Sequence, residues 1–162
     1  MEAVEIYGAN WKGKYAHIRE ACRGVIVEDG KILLCYEPRD DQFMIPGGGL
    51  EEGESYEECC ARELAEETGD VINVSRYALT INEYYGDWLF ISHYFMCERV
   101  GKTERNLTQS ELNVGLEPVW LPVLDAINAF SKYESYVNAS NKMKSGMYLR
   151  EYKALSIIFK VN

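Results

Sequence analysis

Short runs of apolar residues separated by polar and glycine-containing segments mark the first third of the chain, and this pattern predicts short strands and tight turns. Two runs of residues that favour strands, Cys22 to Val27 and Lys31 to Tyr36, are separated by Glu28-Asp29-Gly30. An Asp-Gly turn between such runs predicts a β-hairpin. A short apolar piece, Phe43 to Ile45, then ends at a proline followed by Gly47-Gly48-Gly49, which is expected to interrupt regular structure before the next element begins.

The segment after the glycines predicts one helix with clear signals at both ends. Ser55 and Glu58, three residues apart, form a capping box, and the residues that follow are mostly helix formers. Gly69 stands where a C-terminal glycine is expected to end the helix. The helix is therefore predicted over Tyr56 to Thr68.

The rest of the chain predicts more strands and then helices. The β-rich stretches are Val71 to Asn82, Asp87 to Cys97 and Glu117 to Leu121. Pro122 can open a short helix through Phe130, and Tyr148 to Phe159 has apolar residues at helical spacing. Ser131 to Gly146 is polar, so a surface loop or lid is expected there. At this length, and without repeats, one α/β (α+β) domain over residues 1–162 is predicted.

Composition and charge exclude several classes of function. The chain is 47% hydrophobic and 27% charged, close to the globular average, which argues against a disordered or a membrane protein. No apolar run approaches the roughly 18 residues that span a bilayer, and the acidic N-terminus lacks the basic start of a signal peptide, so a cytoplasmic protein is expected. The net charge of −9 argues against a nucleic-acid polymer as partner. A phosphate-bearing small molecule would need a bound cation to offset repulsion.

The cysteines are predicted to be reduced residues of the core rather than zinc ligands or disulfide partners. They are odd in number, lie in apolar segments and show no metal-ligand spacing. They are Cys22, Cys35, Cys59, Cys60 and Cys97.

Three carboxylates are predicted to converge along one edge of the helix. Glu63, Glu66 and Glu67 are spaced i, i+3 and i+4, which places them within an arc of roughly 100°. Like charges at this spacing repel by about 0.2–0.5 kcal/mol per pair on an exposed helix, and by more where water is excluded. The arrangement therefore favours a bound cation, and carboxylate oxygens suit Mg²⁺ or Mn²⁺.

The alternative interpretation is a solvated helix face on which Arg62 forms salt bridges with Glu58 and Glu66. The four glycines between Gly47 and Gly53 favour the metal site over this alternative. A glycine-rich segment that leads into a capped helix lets the backbone approach an anion closely and directs N–H groups toward it.

The run from Gly48 to Gly69 resembles the signature of the Nudix hydrolase family, G-x5-E-x7-R-E-U-x-E-E-x-G-U, in which U is a bulky apolar residue. Each charged and glycine position of that pattern is matched in this sequence. Asp70 departs from it, because the family has an apolar residue there, and Val71 is a candidate to fill that role. With flanking segments such as Ile45-Pro46-Gly47-Gly48, the resemblance covers most of residues 19 to 130.

The resemblance implies a Nudix-type α/β/α sandwich, with a mixed β-sheet flanked by helices, and a MutT-like pyrophosphohydrolase activity that uses Mg²⁺ or Mn²⁺. The metal ligands that it implies are Glu63, Glu66, Glu67 and the carbonyl oxygen of Gly47. Arg62 would orient the glutamates together with Glu54. The general base stays open among Glu66, Glu63 and the downstream Glu111, which could also complete the metal shell.

Substrate contacts are less defined by the sequence. The candidate substrate-binding residues are Arg19, Arg23, Arg39, Gly48 and Glu111, although each arginine could equally be a surface cation. Candidates to stack on a base are Tyr36, Phe43, Tyr84, Tyr85 and Trp88, although aromatic residues in strands are more often part of the core. His93 is expected to be buried and hydrogen-bonded rather than catalytic.

The expected activity is cleavage of the pyrophosphate bond of a nucleoside diphosphate linked to another moiety, as in a nucleoside triphosphate or a nucleotide-sugar. One rival is a module of this fold that binds a nucleotide or ADP-ribose without cleaving it, and a second is an isomerase of isoprenoid diphosphates. The intact Glu63, Glu66 and Glu67 argue against the binding module, and the full hydrolase signature argues against the isomerase. The resemblance also implies a possible homodimer.

Overall fold

The structure is a computed structural model that describes residues 2–139 and 141–162. The strands are β1 (Val4–Tyr7), β2 (His17–Val25), β3 (Val27–Glu28), β4 (Lys31–Glu37), β5 (Gln42–Met44), β6 (Gly47–Gly49), β7 (Asp70–Tyr85), β8 (Trp88–Lys102) and β9 (Glu117–Pro122). The helices are α1 (Tyr56–Thr68), α2 (Gln109–Val114), α3 (Val123–Phe130), α4 (Tyr133–Asn138) and α5 (Lys142–Phe159). Within these ranges no helix is long and apolar enough to span a membrane.

The strands form two sheets. The larger sheet has the order β1-β7-β8-β2-β6 and is mixed, since β1 runs parallel to β7 and β2 runs parallel to β8 while the other neighbours are antiparallel. In the smaller sheet β4 pairs with β3, β5 and β9, all antiparallel. The mixed sheet flanked by helices confirms the predicted fold class.

Helices cover both faces of the larger sheet. Successive strand residues point to opposite faces, and Tyr94 and Phe95 of β8 illustrate the two environments. Phe95 belongs to a buried cluster with Leu64 of α1, whereas the Tyr94 hydroxyl donates to Glu151 of α5 at 3.2 Å. The sheet therefore separates α1 from α5, and apolar residues fill both interfaces.

Helix α1 has the predicted boundaries and caps. Both halves of the capping box are present, because the Glu58 amide donates to the Ser55 hydroxyl and the Ser55 amide donates to the Glu58 carboxylate. Gly69 ends the helix in the left-handed conformation, with φ of 74°. These local signals fix the position of the helix that carries the three glutamates.

The predicted hairpin forms, but its first strand is divided. Asp29 and Gly30 both have positive φ, at 49° and 74°, as the Asp-Gly turn requires. Only β3 pairs with β4 across this turn, whereas Cys22 to Val25 belongs to β2 in the larger sheet. A single run of β-branched residues thus contributes to both sheets.

The prediction that Gly47-Gly48-Gly49 merely interrupts the chain is wrong, because these residues form β6, antiparallel to β2. A Cβ atom on Gly47 would lie 2.1 Å from the carbonyl oxygen of Cys22, and one on Gly48 would lie 2.4 Å from the carboxyl group of Glu63. Glycine is required here because the strand is packed tightly between β2 and α1.

The prediction of a surface loop or lid over Ser131 to Gly146 is also wrong. Apart from residue 140, which lies outside the described residues, the segment contains α4 and the start of α5. Lys144 is buried, donates to the Asp41 carbonyl oxygen at 2.7 Å and lies 4.1 Å from the centre of the Tyr136 ring. These tertiary contacts order polar residues that local composition assigned to a loop.

The remaining predicted elements are present and several extend further than predicted. Strands β7 and β9 and helix α5 contain the predicted segments, β8 and α3 begin one residue later than predicted, and β1 and α2 were not predicted. The five cysteines are free and buried, which confirms their assignment to the core.

The residue after Gly69, where the family pattern has an apolar side chain, is a buried acidic residue. Asp70 begins β7 and is 2% exposed, and its carboxylate is bound by Lys102 and Arg99. Val71 is 40% exposed, so it does not replace the apolar residue that the family pattern has here. Ion pairing stabilises an acidic residue at a buried position that would otherwise favour an apolar side chain.

Candidate active site

Two of the three aligned glutamates of α1 are held against β6. The Glu67 side chain is almost completely buried and accepts a hydrogen bond from the Gly47 amide at 3.0 Å. The Glu63 carboxylate lies directly over Gly48. The absence of a side chain on β6 therefore brings the backbone of the glycine strand into contact with the acidic edge of the helix.

Arg62 organises the acidic residues around it. Its guanidinium donates to both carboxylate oxygens of Glu54, at 2.6 and 2.9 Å, and to Glu63 at 2.7 Å. It also donates to the Gly49 carbonyl oxygen at 2.9 Å, while Glu66 is more distant at 3.4 Å. The salt bridge to Glu58 that the solvated-face alternative required is absent from these contacts; Arg62 instead links the helix to the segment before it.

Ion pairing and burial shift the pKa values of the acidic residues in opposite directions. The hydrogen bonds from Arg62 lower the pKa of Glu54 to about 2, so this carboxylate stays charged. Burial raises the pKa of Glu67 to about 8 and raises that of Glu63 above its ordinary value. The charged form of Glu67 is therefore destabilised by burial in the folded protein.

One cavity of about 320 Å³ joins these groups to more distant parts of the chain. It is lined by the three glutamates of α1 and the glycines of β6, together with Arg62, Arg19 of β2 and Glu111 of α2. A larger hollow, of about 480 Å³, is lined by Glu57, Glu58 and Ala61 of α1 and by Ile72, Asn73 and Val74 of β7. It does not contain the glutamates of the signature, so the chemistry belongs to the smaller cavity.

The chemistry of these donors fits a hard divalent cation. Glu63, Glu66, Glu67 and Glu111 all reach one cavity, and carboxylate oxygens are the ligands that Mg²⁺ and Mn²⁺ prefer. Across residues 2–139 and 141–162, no three acidic, histidine or cysteine side chains are grouped closely enough to hold one ion. Glu63 is instead paired with Arg62, and Glu67 with the Gly47 amide. Coordination would require side-chain rotation within the cavity.

The three candidate arginines occupy different positions. Arg19 lines the cavity. Arg23 is largely buried beside β6, where it donates to the Ile45 carbonyl oxygen at 3.3 Å and lies 3.9 Å from Glu151. Arg39 is exposed on a turn, pairs with its neighbour Asp40 at 2.9 Å and does not line the cavity. Of the three arginines, Arg19 is the one positioned to contact a phosphate group bound in the cavity.

Glu111 reaches the cavity from a helix that was not predicted. Its carboxylate accepts from the Thr108 amide at 2.8 Å, and Thr108 caps α2 in return, so the two residues form a capping box. The spacing Thr108-x-x-Glu111 is the same type of signal that located α1 and would have identified α2. Thr108 also lines the cavity and was not among the predicted site residues.

His93 and the candidate stacking residues lie outside the cavity. His93 is 9% exposed and is hydrogen-bonded to Glu20 at 2.8 Å and to Thr80 at 2.9 Å, which confirms the prediction of a buried, bonded histidine. The five candidate aromatic residues are partly buried except for Trp88, which is exposed, and Phe43 packs against the main buried cluster as the core interpretation expects. They are Tyr36, Phe43, Tyr84, Tyr85 and Trp88.

The mixed sheet between helices, the glycine strand and the acidic helix edge define a Nudix domain. The family model described as NUDIX domain matches residues 18–140. The chain therefore belongs to the Nudix family.

Known proteins with similar sequences or structures agree with this assignment. A 58-residue segment is 45% identical to an ADP-ribose pyrophosphatase of Methanocaldococcus jannaschii and covers 34% of each chain. A 73-residue segment is 41% identical to the NAD-capped RNA hydrolase NudC of Vibrio atlanticus and covers 42% of this chain and 24% of that protein. A NUDIX hydrolase from Nitrosomonas europaea superposes with a TM-score of 0.58 and 27% identity, over 68% of this chain and 76% of that one. The matches to these two curated relatives span 34% and 24% of their lengths.

Proposed function

We propose that this chain is a divalent-cation-dependent hydrolase that cleaves the pyrophosphate bond of a nucleoside diphosphate linked to another moiety. The observation that carries the proposal is the convergence of Glu63, Glu66, Glu67 and Glu111 on one cavity that also contains Arg19. A cavity with this donor set can hold a cation and a phosphate together, whereas the acidic residues alone would repel the substrate.

The names of the sequence relatives support this class of substrate. One is an ADP-ribose pyrophosphatase and another is an NAD-capped RNA hydrolase. ADP-ribose and NAD are both nucleoside diphosphates joined to a further group. A small nucleotide derivative fits this chain better than a long polyanion, because the net charge of −9 disfavours extended phosphate backbones.

The residues of the site have separable roles in such a reaction. Glu63, Glu66 and Glu67, with the Gly47 carbonyl oxygen, would hold Mg²⁺ or Mn²⁺. A cation bound there would lower the pKa of an attacking water and stabilise the charge that develops on the phosphates. Arg62 keeps Glu54 charged, and a second hydrogen bond from its guanidinium positions the Glu63 carboxylate. The position of Glu63 depends on Gly48 having no side chain, because a Cβ atom there would lie 2.4 Å from its carboxyl group.

Proton transfer is assigned to Glu66. Its side chain is 34% exposed and its contact with Arg62 is long, at 3.4 Å, so it can turn toward a water in the cavity. Glu63 is more tightly held by Arg62, and Glu111 is engaged at the cap of α2. Glutamine substitution at each of the three positions tests the assignment. Glu66→Gln should lower kcat the most, and because Glu66 is also a proposed cation ligand, it should raise the cation concentration needed for activation as well.

Arg19 is assigned to the substrate phosphates, with the backbone of Gly48 alongside. It is the candidate arginine that lines the cavity, and a Cβ atom on Gly49 would lie 3.8 Å from its guanidinium. Arg23 is assigned a structural role instead, because its backbone pairs with Gly47 and so holds β6 in the sheet. The assignment predicts a higher KM for Arg19→Ala and a smaller effect for Arg39→Ala.

The test is hydrolysis of a panel of nucleoside diphosphate derivatives and triphosphates in Mg²⁺ or Mn²⁺, with and without EDTA. We expect turnover that EDTA abolishes and that added cation restores. Nucleotide binding without turnover of any panel member would instead favour the non-catalytic binding module. Turnover that persists unchanged in EDTA would refute the cation-dependent mechanism.

The organisation of the chain forms part of the same proposal. We infer one Nudix domain over residues 1–162, since elements from both sheets and from α3 and α5 share one buried apolar cluster. A cytoplasmic location is supported by five buried, free cysteines, which a reducing compartment preserves. A homodimer is proposed on family resemblance alone, and the mass of the protein in solution tests it.

A further inference from the structure

Cys35 differs from the other buried cysteines because its thiol contacts a carboxylate of the active site. Its sulfur is completely buried and lies 3.7 Å from Oε2 of Glu67. The other four cysteines belong to the apolar cluster that α1 shares with the larger sheet. A buried free cysteine usually serves as a small apolar side chain. The contact with Glu67 gives the Cys35 thiol a polar partner in addition to its apolar neighbours.

Two donors from different sheets hold the same oxygen of Glu67. The Gly47 amide of β6 donates to Oε2 at 3.0 Å, and the Cys35 thiol of β4 contacts that oxygen too. An oxygen that already accepts from an amide is also the acceptor for a thiol, so the sulfur is the donor. Because both hydrogen bonds end on Oε2, they fix the carboxylate and leave Oε1 available to a cation.

Cys35 lies behind Glu67 and not in the cavity itself. Glu67 is one of the residues that line the cavity, whereas Cys35 is not. Cys35 also belongs to a buried cluster with Leu116 and with Val114, the last residue of α2. Helix α2 carries Glu111, the fourth carboxylate of the cavity. The residue therefore contacts Glu67 and supports α2 without reaching the space that a cation would occupy.

We propose that Cys35 is a positioning residue of the active site, whose thiol fixes one oxygen of Glu67 and so directs the other toward the bound cation. The inference rests on the proposed hydrolase function and adds a residue to its cation site. The rotation that coordination requires then falls to Glu63 and Glu66, around a Glu67 that stays in place. A group that orients a metal ligand contributes to metal affinity although it does not touch the metal.

The chemistry of cysteine suits this position. A thiol is a weak hydrogen-bond donor that also packs as a small apolar group. It can therefore orient the Glu67 carboxylate and at the same time fill the apolar cluster with Val114 and Leu116. Serine would keep the donor but add a more polar group to that cluster, and valine would keep the apolar contacts but remove the donor. These two substitutions separate the hydrogen bond from the packing.

The test measures Mn²⁺ binding by titration calorimetry without substrate, together with the Mg²⁺ concentration that gives half-maximal hydrolysis of the panel member that wild type cleaves fastest. Cys35→Val is expected to raise the Mn²⁺ dissociation constant and the half-maximal Mg²⁺ concentration by about 5- to 10-fold. This is at or below the low end for loss of a group that orients a metal ligand, because a thiol is a weak donor. At saturating Mg²⁺, kcat should change less than about twofold.

Cys35→Ser and Cys97→Val are the matched controls. Cys35→Ser keeps a donor beside Glu67, so its Mn²⁺ dissociation constant should stay within about twofold of wild type. Cys97 is also buried, and its thiol donates to the Phe95 carbonyl oxygen at 3.6 Å, but it belongs to the cluster that α1 shares with the larger sheet. Cys97→Val should leave Mn²⁺ binding unchanged. Thermal unfolding of each variant confirms that it is folded, and Cys35→Ala replaces Cys35→Val if valine does not fit.

Failure of this inference can be distinguished from failure of the proposed function. Wild-type Mn²⁺ binding by folded Cys35→Val would overturn the inference. Equal losses in Cys35→Val and Cys35→Ser would overturn it too, because the effect would then come from packing; in both cases hydrolysis by wild type stands. If wild type binds no Mn²⁺ and cleaves none of the panel, the hydrolase proposal fails and the inference fails with it. Weaker binding by Cys35→Val that serine restores supports the inference.

Discussion

Replacing Glu67 by glutamine should make the cation-free protein more stable while removing most of its activity. In the folded protein the Glu67 carboxylate is 5% exposed, and its strongest neighbouring contact is the Gly47 amide at 3.0 Å. Glutamine retains an oxygen that can accept this hydrogen bond but carries no charge. The substitution therefore removes a buried charge without removing the side-chain volume that fills the site.

The magnitude follows from the pKa of this group. Burial raises the Glu67 pKa from 4.5 to about 8, and each tenfold change in proton affinity corresponds to about 1.4 kcal/mol, so ionising Glu67 in the folded state costs about 5 kcal/mol. Below pH 4.5 the carboxyl group is neutral in both states and this cost is absent. As pH rises from 4.5 to about 8, only the unfolded chain loses the proton, so the free energy of unfolding decreases; above about pH 8 it no longer changes.

Urea unfolding in EDTA at pH 5, 7 and 9 measures this effect. Glu67→Gln should differ little from wild type at pH 5 and exceed it by up to about 5 kcal/mol at pH 9. The exposed Glu57 on the same helix supplies the control, because Glu57→Gln should follow the wild-type profile. Added Mg²⁺ should then stabilise the wild type but not Glu67→Gln.

Two results would refute this reasoning. Parallel stability profiles for wild type and Glu67→Gln would show that the carboxylate is not destabilised by burial. Turnover near the wild-type level in Glu67→Gln would show that this residue does not hold the cation.

Three further substitutions test other parts of the structure. Arg62→Lys should lower kcat by about 10- to 100-fold in a hydrolysis assay, since lysine cannot bind both oxygens of Glu54; unchanged kcat would contradict the positioning role. Ser55→Ala should lower the free energy of unfolding by about 1 kcal/mol in urea through loss of the helix cap, with activity retained. Asp70→Ala should cost about 1–3 kcal/mol in the same assay because it removes the partner of Lys102, and a neutral effect would mean that the ion pair does not stabilise the fold.

Helix α1 could be predicted from the sequence because the residues that begin and end it act on backbone atoms only a few positions away. The boundaries of α1 follow from Ser55, Glu58 and Gly69, which bond to atoms within one turn of the helix. The same logic would have located α2 through Thr108 and Glu111. By contrast, β1 is only four residues long and is ordered by pairing with β7, far along the chain, so its own pattern gives little signal.

Errors arose where contacts between distant segments decide the structure. Gly47 to Gly49 have the composition of a turn but form a strand, because β2 and α1 approach too closely for any side chain. Lys144 has the composition of a loop residue but is ordered by Asp41 and two aromatic rings. Local propensity cannot register either kind of contact.

The sequence by itself determined that three glutamates share one edge of a capped helix, because the period of a helix places i, i+3 and i+4 together wherever the helix lies. Only the tertiary structure decided that Glu67 is buried, that Arg19 and Glu111 meet at the same cavity and that Arg39 does not. Burial and proximity depend on which distant segments exclude water from a side chain, and this is a property of the packed molecule rather than of any local run of residues.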